Sequence, residues 1–241
     1  MLKVDNLKVS IEGKEVLRGV SLGVKQGEVV ALMGPNGSGK SSFSNTIMGN
    51  PSYMVVDGSA EYMGENLLEL SVDERARKGV MMAFQNPVAI GGVTVRELLL
   101  SSMRAKGEVI GALEMKKKID RVADELGMSR ELLGRGVNDG FSGGEKKKME
   151  VLQMILLSPR LLILDEVDSG LDIDALKIIA SSVKSEVDKK GMSVLVITHY
   201  QRLLKYLVPD RVVVMKEGKI VDEGGVEIVE KLEKEGYKIY E

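Results

Sequence analysis

Among its 241 residues this chain has no cysteine and a single histidine, His199. The missing thiols remove disulfides, thiolate metal ligands, cysteine nucleophiles and thiol redox chemistry together. One histidine without cysteine partners cannot assemble a zinc site. No apolar run approaches the roughly 18 residues that a membrane-spanning helix needs, and Met1-Leu2-Lys3-Val4-Asp5 lacks the apolar segment of a secretory signal. Excess basic charge is missing too: the formal net charge is -2, so no overall positive field gathers nucleic acid or anionic lipid. Internal repeats and low-complexity linkers are absent. These absences leave a chain expected to be cytoplasmic, with a length that supports one large core or two modest lobes.

What is present begins with punctuated alternation. Leu2, Val4, Leu7, Val9 and Ile11, then Val20, Leu22 and Val24, follow the period of strands, with turns at Glu12-Gly13 and Gln26-Gly27. Tyr53 to Met63 reads as a further strand pair broken at Asp57-Gly58. Ser71 with Glu74, and Thr94 with Glu97, are capping boxes that start helices. Ala112 to Leu126 carries apolar residues at Leu113, Ile119, Val122, Ala123 and Leu126, with Gly127 as its stop and Lys116-Lys117-Lys118 as a solvated face. A helix through Met154 and Leu157 ends at Pro159. The strand 161–164, a helix over 172–189, the strand 194–197 and a hairpin at Glu217-Gly218 then follow. The expected division is a core of 1–88 and 159–241 with a helical lobe at 89–158.

Behind the apolar run Val29 to Met33 stands Gly34-Pro35-Asn36-Gly37-Ser38-Gly39-Lys40-Ser41, with Ser42 and a helix after it. Strand, glycine-rich loop and helix in this order make a phosphate-binding loop: backbone N–H groups and the helix N-terminus face negative charge. Lys40 reaches the β- and γ-phosphates, and Ser41 offers a hydroxyl to Mg²⁺. About 120 residues later, the strand ending in Asp165-Glu166 supplies a metal-holding carboxylate and a base for an attacking water. Ser142-Gly143-Gly144 opens another helix and forms a second anion site. Alone, His199 after an apolar strand reads as a structural residue.

The loop, the Ser-Gly-Gly helix start and the acidic strand together resemble the motif set of ABC-type ATPases. The resemblance implies an α/β fold: a P-loop ATPase with a RecA-like core, an antiparallel β-layer and an inserted helical lobe. It also implies ATP hydrolysis with Mg²⁺, and roles for three further residues. His199 would contact the γ-phosphate, Gln85 would sense the metal and join the catalytic set of Glu166, His199 and Lys40, and Asp172 would touch the nucleotide. Since each chain would hold half a site, Ser142, Gly143 and Gly144 would face the nucleotide of a second copy in an ATP-dependent homodimer. Within the family, Glu166 to Ala175, Met82 to Pro87, Gly140 to Lys147, Thr198 to Leu204 and Leu232 to Tyr237 are similar to the SufC branch. That branch serves iron-sulfur cluster assembly on a SufB-type scaffold, with or without SufD. The alternative is the nucleotide-binding subunit of a membrane transporter. The usual aromatic platform for adenine is replaced by Ile11 or a neighbour, so nucleotide affinity is expected to be ten- to a hundredfold weaker.

Overall fold

The computed structural model describes residues 1–84, 87–109, 111–167, 173–199 and 202–240, leaving aside the side chain of Ala175. Strands β1 (Leu2–Ile11) and β2 (Lys14–Val24) form a hairpin, and β1 also pairs with β4 (Met54–Tyr62), which carries the short β5 (Glu65–Asn66). This antiparallel layer runs β2-β1-β4-β5. Asp57-Gly58 does not break the strand, contrary to the sequence expectation. β4 runs through it, and the register with β1 shifts between Asp5 and Lys8 instead. Gly58 has φ +90°, and a Cβ there would stand 2.4 Å from the Asn6 carbonyl oxygen, so the glycine serves a bulge and not a turn.

The main sheet has six strands in the order β12-β11-β3-β10-β9-β6. They are β3 (Val29–Met33), β6 (Val80–Ala83), β9 (Leu161–Asp165), β10 (Ser193–Ile197), β11 (Arg211–Lys216) and the antiparallel edge β12 (Lys219–Gly224). A parallel sheet covered on both faces needs apolar residues at every position. β3, β9 and β10 are buried throughout. Their side chains sort by parity: Val29, Ala31 and Met33 join one core, while Val30 and Leu32 join the other, between the two sheets.

Helix α1 (Lys40–Met48) follows β3, and α2 (Val72–Arg77) precedes β6, with Ser71 and Glu74 bonded as expected at its start. A third core is made by α3 (Val95–Ala105), α4 (Ala112–Glu125) and one face of α5 (Gly143–Leu157), through Met149, Leu152 and Leu156. Thr94 and Glu97 cap α3 reciprocally. The lobe also holds a small ladder of β7 (Ile90–Thr94) with β8 (Gly136–Val137), where sequence patterning suggested only helix. Leu113 is exposed and Met115 is buried in its stead, because the inward stripe of α4 runs through Met115, Ile119, Val122 and Ala123. Helices α6 (Ile173–Lys190) and α7 (Glu227–Glu235) and a closing 3-10 turn (Tyr237–Tyr240) complete the chain as described. No described helix is long and apolar enough to cross a membrane.

Candidate functional site

Three neighbouring strands, β3, β10 and β9, deliver their carboxyl ends to one edge of the main sheet. Parallel α/β sheets bind ligands at that edge. After β3 comes the glycine-rich loop, after β10 comes His199, and β9 ends in Asp165 with Glu166 next. A cleft of about 560 Å³ opens there, lined by Asn36, Gly37, Gly39, Lys40, Ser41, Ser42 and Glu166 on one side and by Lys14, Glu15, Val16, Arg18, Glu217 and Gly218 on the other.

The loop closes on itself before α1 begins. The Ser38 N–H donates to the Pro35 carbonyl at 3.2 Å, and the Gly218 N–H donates to the Ser38 carbonyl at 2.8 Å. Gly39 caps α1 in a left-handed conformation without a side-chain cap, so the helix's first N–H groups stay available to an anion. Gly34 and Ser38 are buried, Pro35 is half-buried, and Asn36 and Gly37 are exposed at the rim. The buried Ser38 hydroxyl has no hydrogen-bond partner among the described residues. An orphaned hydroxyl in a phosphate-shaped cradle fits a phosphate oxygen.

Lys40 is 4% exposed. Its ammonium donates to the carbonyls of Gly34 at 2.9 Å and Pro35 at 3.1 Å and lies 3.9 Å from Glu166 Oε1. Burial pulls its pKa below the ordinary lysine value, opposed by the carboxylates of Glu166 and Asp165. Asp165 is tied to α1 twice: Ser41 Oγ donates to Oδ1 at 3.2 Å and Ser44 Oγ donates to Oδ2 at 2.9 Å. Burial raises the Asp165 pKa above the usual carboxylate range, with those two bonds pulling the other way. A hydroxyl and a carboxylate at this spacing are hard oxygen donors suited to Mg²⁺, an ion that takes one or two protein ligands and fills its shell from phosphate and water. Among the described residues no group of three metal-binding carboxylates or imidazoles occurs.

Glu166 Oε1 is 3.3 Å from His199 Nδ1. The Glu166 backbone has φ +49° and its N–H donates to the Ile197 carbonyl at 2.9 Å, so strand β10 holds the residue from behind. Lysine, glutamate and histidine thus converge from three strands on one point of the loop.

The second anion site stands apart from this cleft. Ser142 N-caps α5 and exchanges bonds with Glu145: its N–H donates to Oε2 at 2.7 Å and its hydroxyl accepts from the Glu145 N–H at 3.3 Å. Ser142, Gly143 and Gly144 are exposed, and none lines the cleft. Gln85 and Asp172 lie outside the described residues.

Four contributions escaped the sequence reading. Ser44 is one turn beyond Ser41 on the same helix face, and that i, i+3 spacing behind a phosphate loop is the signal that could have found it. Val16 of β2, and not Ile11, is the apolar side chain lining the cleft's far wall. Lys147 and Glu150 of α5 form a buried ion pair at 2.8 Å that grips one peptide from both sides: Lys147 donates to the Phe84 carbonyl at 3.1 Å, and Glu150 accepts from the Phe84 N–H at 2.9 Å. Tyr237, more than 200 residues downstream in sequence, accepts a hydrogen bond from the Gly34 N–H. No local pattern announces the last two.

Comparison with known proteins agrees with this geometry. The family described as ABC transporter matches residues 17–169. A protein of Streptococcus pyogenes serotype M3 named as a probable ABC transporter ATP-binding protein is 49% identical over 240 residues, covering 98% of this chain and 93% of its own. Vegetative protein 296 of Bacillus subtilis is 47% identical with 98% and 91% covered. A probable ATP-dependent transporter, ycf16, of Cyanophora paradoxa is 48% identical with 98% and 93% covered. Among solved structures, a dimeric post-hydrolysis form of the ATP-binding cassette MJ0796 with ADP and Pi superimposes with a TM-score of 0.80 at 22% identity, covering 94% of this chain and 99% of that one. A nucleotide-free cassette from an ABC transporter gives 0.79 at 26% identity, covering 100% and 98%.

Proposed function

The chain belongs to the ABC transporter ATP-binding family and is an ATP hydrolase, and from that premise we propose that its cleft uses one composite site per nucleotide to drive the movement of a separate partner chain. The observation that carries the site assignment is the convergence of Lys40, Glu166 and His199 on a loop whose first helix is already bonded to Asp165. Gly34 to Ser42 cradle the triphosphate, and Lys40 exchanges its loop carbonyls for the β- and γ-phosphates. Glu166 takes the proton of the attacking water while His199, within reach of the same carboxylate, orients it. Ser41 and Asp165 would hold Mg²⁺, with Gln85 added by the family pattern. Bound there, the ion would supply positive charge to the phosphates.

On this reading the γ-phosphate takes no donor from α5 of its own chain, and Gly143 and Gly144 present their helix N–H groups away from the cleft. Two copies arranged head to tail bring these together, each placing its α5 terminus on the other's nucleotide, and the family pattern adds Asp172 to the nucleotide contacts. MJ0796 is described as a dimer in its ADP and Pi form, which supports this arrangement. ATP binding then closes the pair and hydrolysis opens it.

Two partners compete. The five stretches similar to the SufC branch favour a SufB-type scaffold, with or without SufD, in the cytoplasm, and an output in iron-sulfur cluster assembly. The names of the similar relatives speak of transporters and favour the nucleotide-binding subunit of a membrane transporter. A tagged chain pulled from its own cytosol and membranes decides between them. A SufB-like chain recovered from the cytosol that raises ATP turnover supports the assembly reading; recovery of a multi-span membrane protein in its place overturns that reading and establishes the transporter subunit.

A further inference from the structure

The loop that begins at Gly34 is held from beneath by a part of the chain that belongs to no nucleotide motif. Gly34 follows β3 directly, and the Met215 carbonyl sits so close that a Cβ on Gly34 would lie 2.2 Å from its oxygen. The Gly34 N–H donates to the Tyr237 hydroxyl at 3.2 Å. Tyr237 is in turn fixed by the 3-10 turn Tyr237–Tyr240. The Tyr240 hydroxyl donates to Asp222 Oδ2 of β12 at 2.6 Å, and Lys216 Nζ of β11 donates to the Tyr240 carbonyl at 2.9 Å. Lys231 of α7 stands 5.8 Å from the Tyr240 ring centroid. Tyr237, Ile239 and Tyr240 also pack on the core beneath the sheet. The turn is therefore a strap fastened to two strands and a helix, and it meets the phosphate loop through a polar contact at the loop's first residue.

We infer that Tyr237 is a positioning residue for nucleotide binding: its hydroxyl fixes the peptide plane at Gly34 and so keeps the loop in its phosphate-ready shape before ATP arrives. The inference rests on the nucleotide reading of that loop. Lys40 bonds the Gly34 carbonyl, so the two peptide groups flanking Gly34 are set from opposite sides, by a resident lysine and by the strap. Without the hydroxyl, the Gly34 N–H loses its partner and the loop samples other orientations. ATP then selects a fraction of the population, and apparent affinity falls by that fraction. The hydroxyl itself touches no phosphate, so the chemical step is untouched. Burial holds the Tyr237 pKa above the ordinary tyrosine value although the Gly34 bond pulls it down, so the group stays a neutral phenol at working pH.

Tyr237→Phe separates this role from packing, because the ring stays and only the hydroxyl leaves. ATP and ADP affinities measured by titration calorimetry with Mg²⁺, alongside steady-state hydrolysis, give the reading. Expected are three- to tenfold increases in Kd and KM, about the size of one lost hydrogen bond, with kcat within twofold and a melting temperature lowered by a few degrees at most. Unchanged Kd and KM in Tyr237→Phe overturn the inference and leave the ring as packing alone. A fall in kcat at constant KM also overturns it, since that pattern belongs to a group acting in the transition state. Failure of the unaltered chain to bind Mg-ATP overturns the nucleotide reading of the loop, and the inference with it.

Discussion

The chain presents two helix N-termini to anions, and they are built in opposite ways. At α1 the terminus is sunk into the molecule: Lys40 is buried, Ser41 and Ser44 bind Asp165, and a strand edge brings Glu166 and His199 to the same point. At α5 the terminus is exposed and occupied only with itself, Ser142 and Glu145 satisfying each other's backbone. The first is a finished half-site and the second a presented surface. A capping box costs the second nothing in readiness, since it fixes the helix start while leaving Gly143 and Gly144 bare. Charge development at a γ-phosphate needs donors that do not have to reorganise, and the chain supplies them on one side only.

The largest effect expected is at the finished half. Glu166→Gln lowers ATP turnover by about 10² to 10⁴, the range of a lost general base, while Mg-ATP still binds and the pair stays closed, as size-exclusion chromatography with ATP will show. Undiminished turnover removes Glu166 as the base. The presented half is broken by Ser142→Glu, which sets a carboxylate against the partner's phosphates. Turnover is expected to fall about a hundredfold, in the range reported for lost transition-state donors, with single-chain ATP affinity retained. Mixing that variant with Lys40→Ala then restores roughly a quarter of the original rate, because half of randomly assorted pairs contain one intact composite site out of two. No restoration means that each chain works alone.

A smaller effect, on stability, tests what supports the exposed terminus. Lys147 and Glu150 lie on the buried side of α5, and burial raises the Glu150 pKa against the pull of Lys147. Removing one member, as in Lys147→Met, leaves a buried charge and is expected to cost about 3 kcal/mol in urea unfolding, whereas replacing both with methionine costs much less. The smallest effect is at Asp165. Its pKa is raised by burial, so the folded protein holds that proton more tightly than the unfolded chain does. The resulting stabilisation is present below the ordinary carboxylate range, near about 4, and is lost as pH rises through the folded pKa. In nucleotide-free protein at pH 7 to 8, well above that range, the burial of Asp165 thus weighs against folding. Asp165→Asn is expected to raise the melting temperature by a few degrees there, with the gain vanishing toward pH 4, even as hydrolysis is lost.

Legibility followed the range of the forces involved. The strand-loop-helix order around Gly34 to Ser41, the buried strands β3, β9 and β10, and the boxes at Ser71 and Thr94 are local statements, written within a few residues, and the structure carries them as written. At Gly58 a turn and a bulge ask for the same left-handed backbone, and only the register shift between β1 and β4, with Gly58 pressed against the Asn6 carbonyl, distinguishes them. Leu113 was misplaced because apolar character was taken for burial in the first turn of α4, where Met115 takes the inward place. Tyr237 under Gly34, Val16 in the cleft wall and the Lys147–Glu150 grip on Phe84 are meetings of distant segments, and nothing near each residue specifies its partner. Gln85 and Asp172 rest on the family pattern alone.

The left-handed backbone of Glu166 carries a further consequence. At φ +49° a side chain with a Cβ is held at a cost on the order of 1 kcal/mol, and glycine or asparagine would sit there with less strain. A library randomised at position 166 and sorted only for soluble yield should therefore fill with glycine and asparagine, while the same library sorted for ATP turnover should return glutamate. The distance between those two winners would measure how much folding stability the molecule forgoes in order to aim one carboxylate.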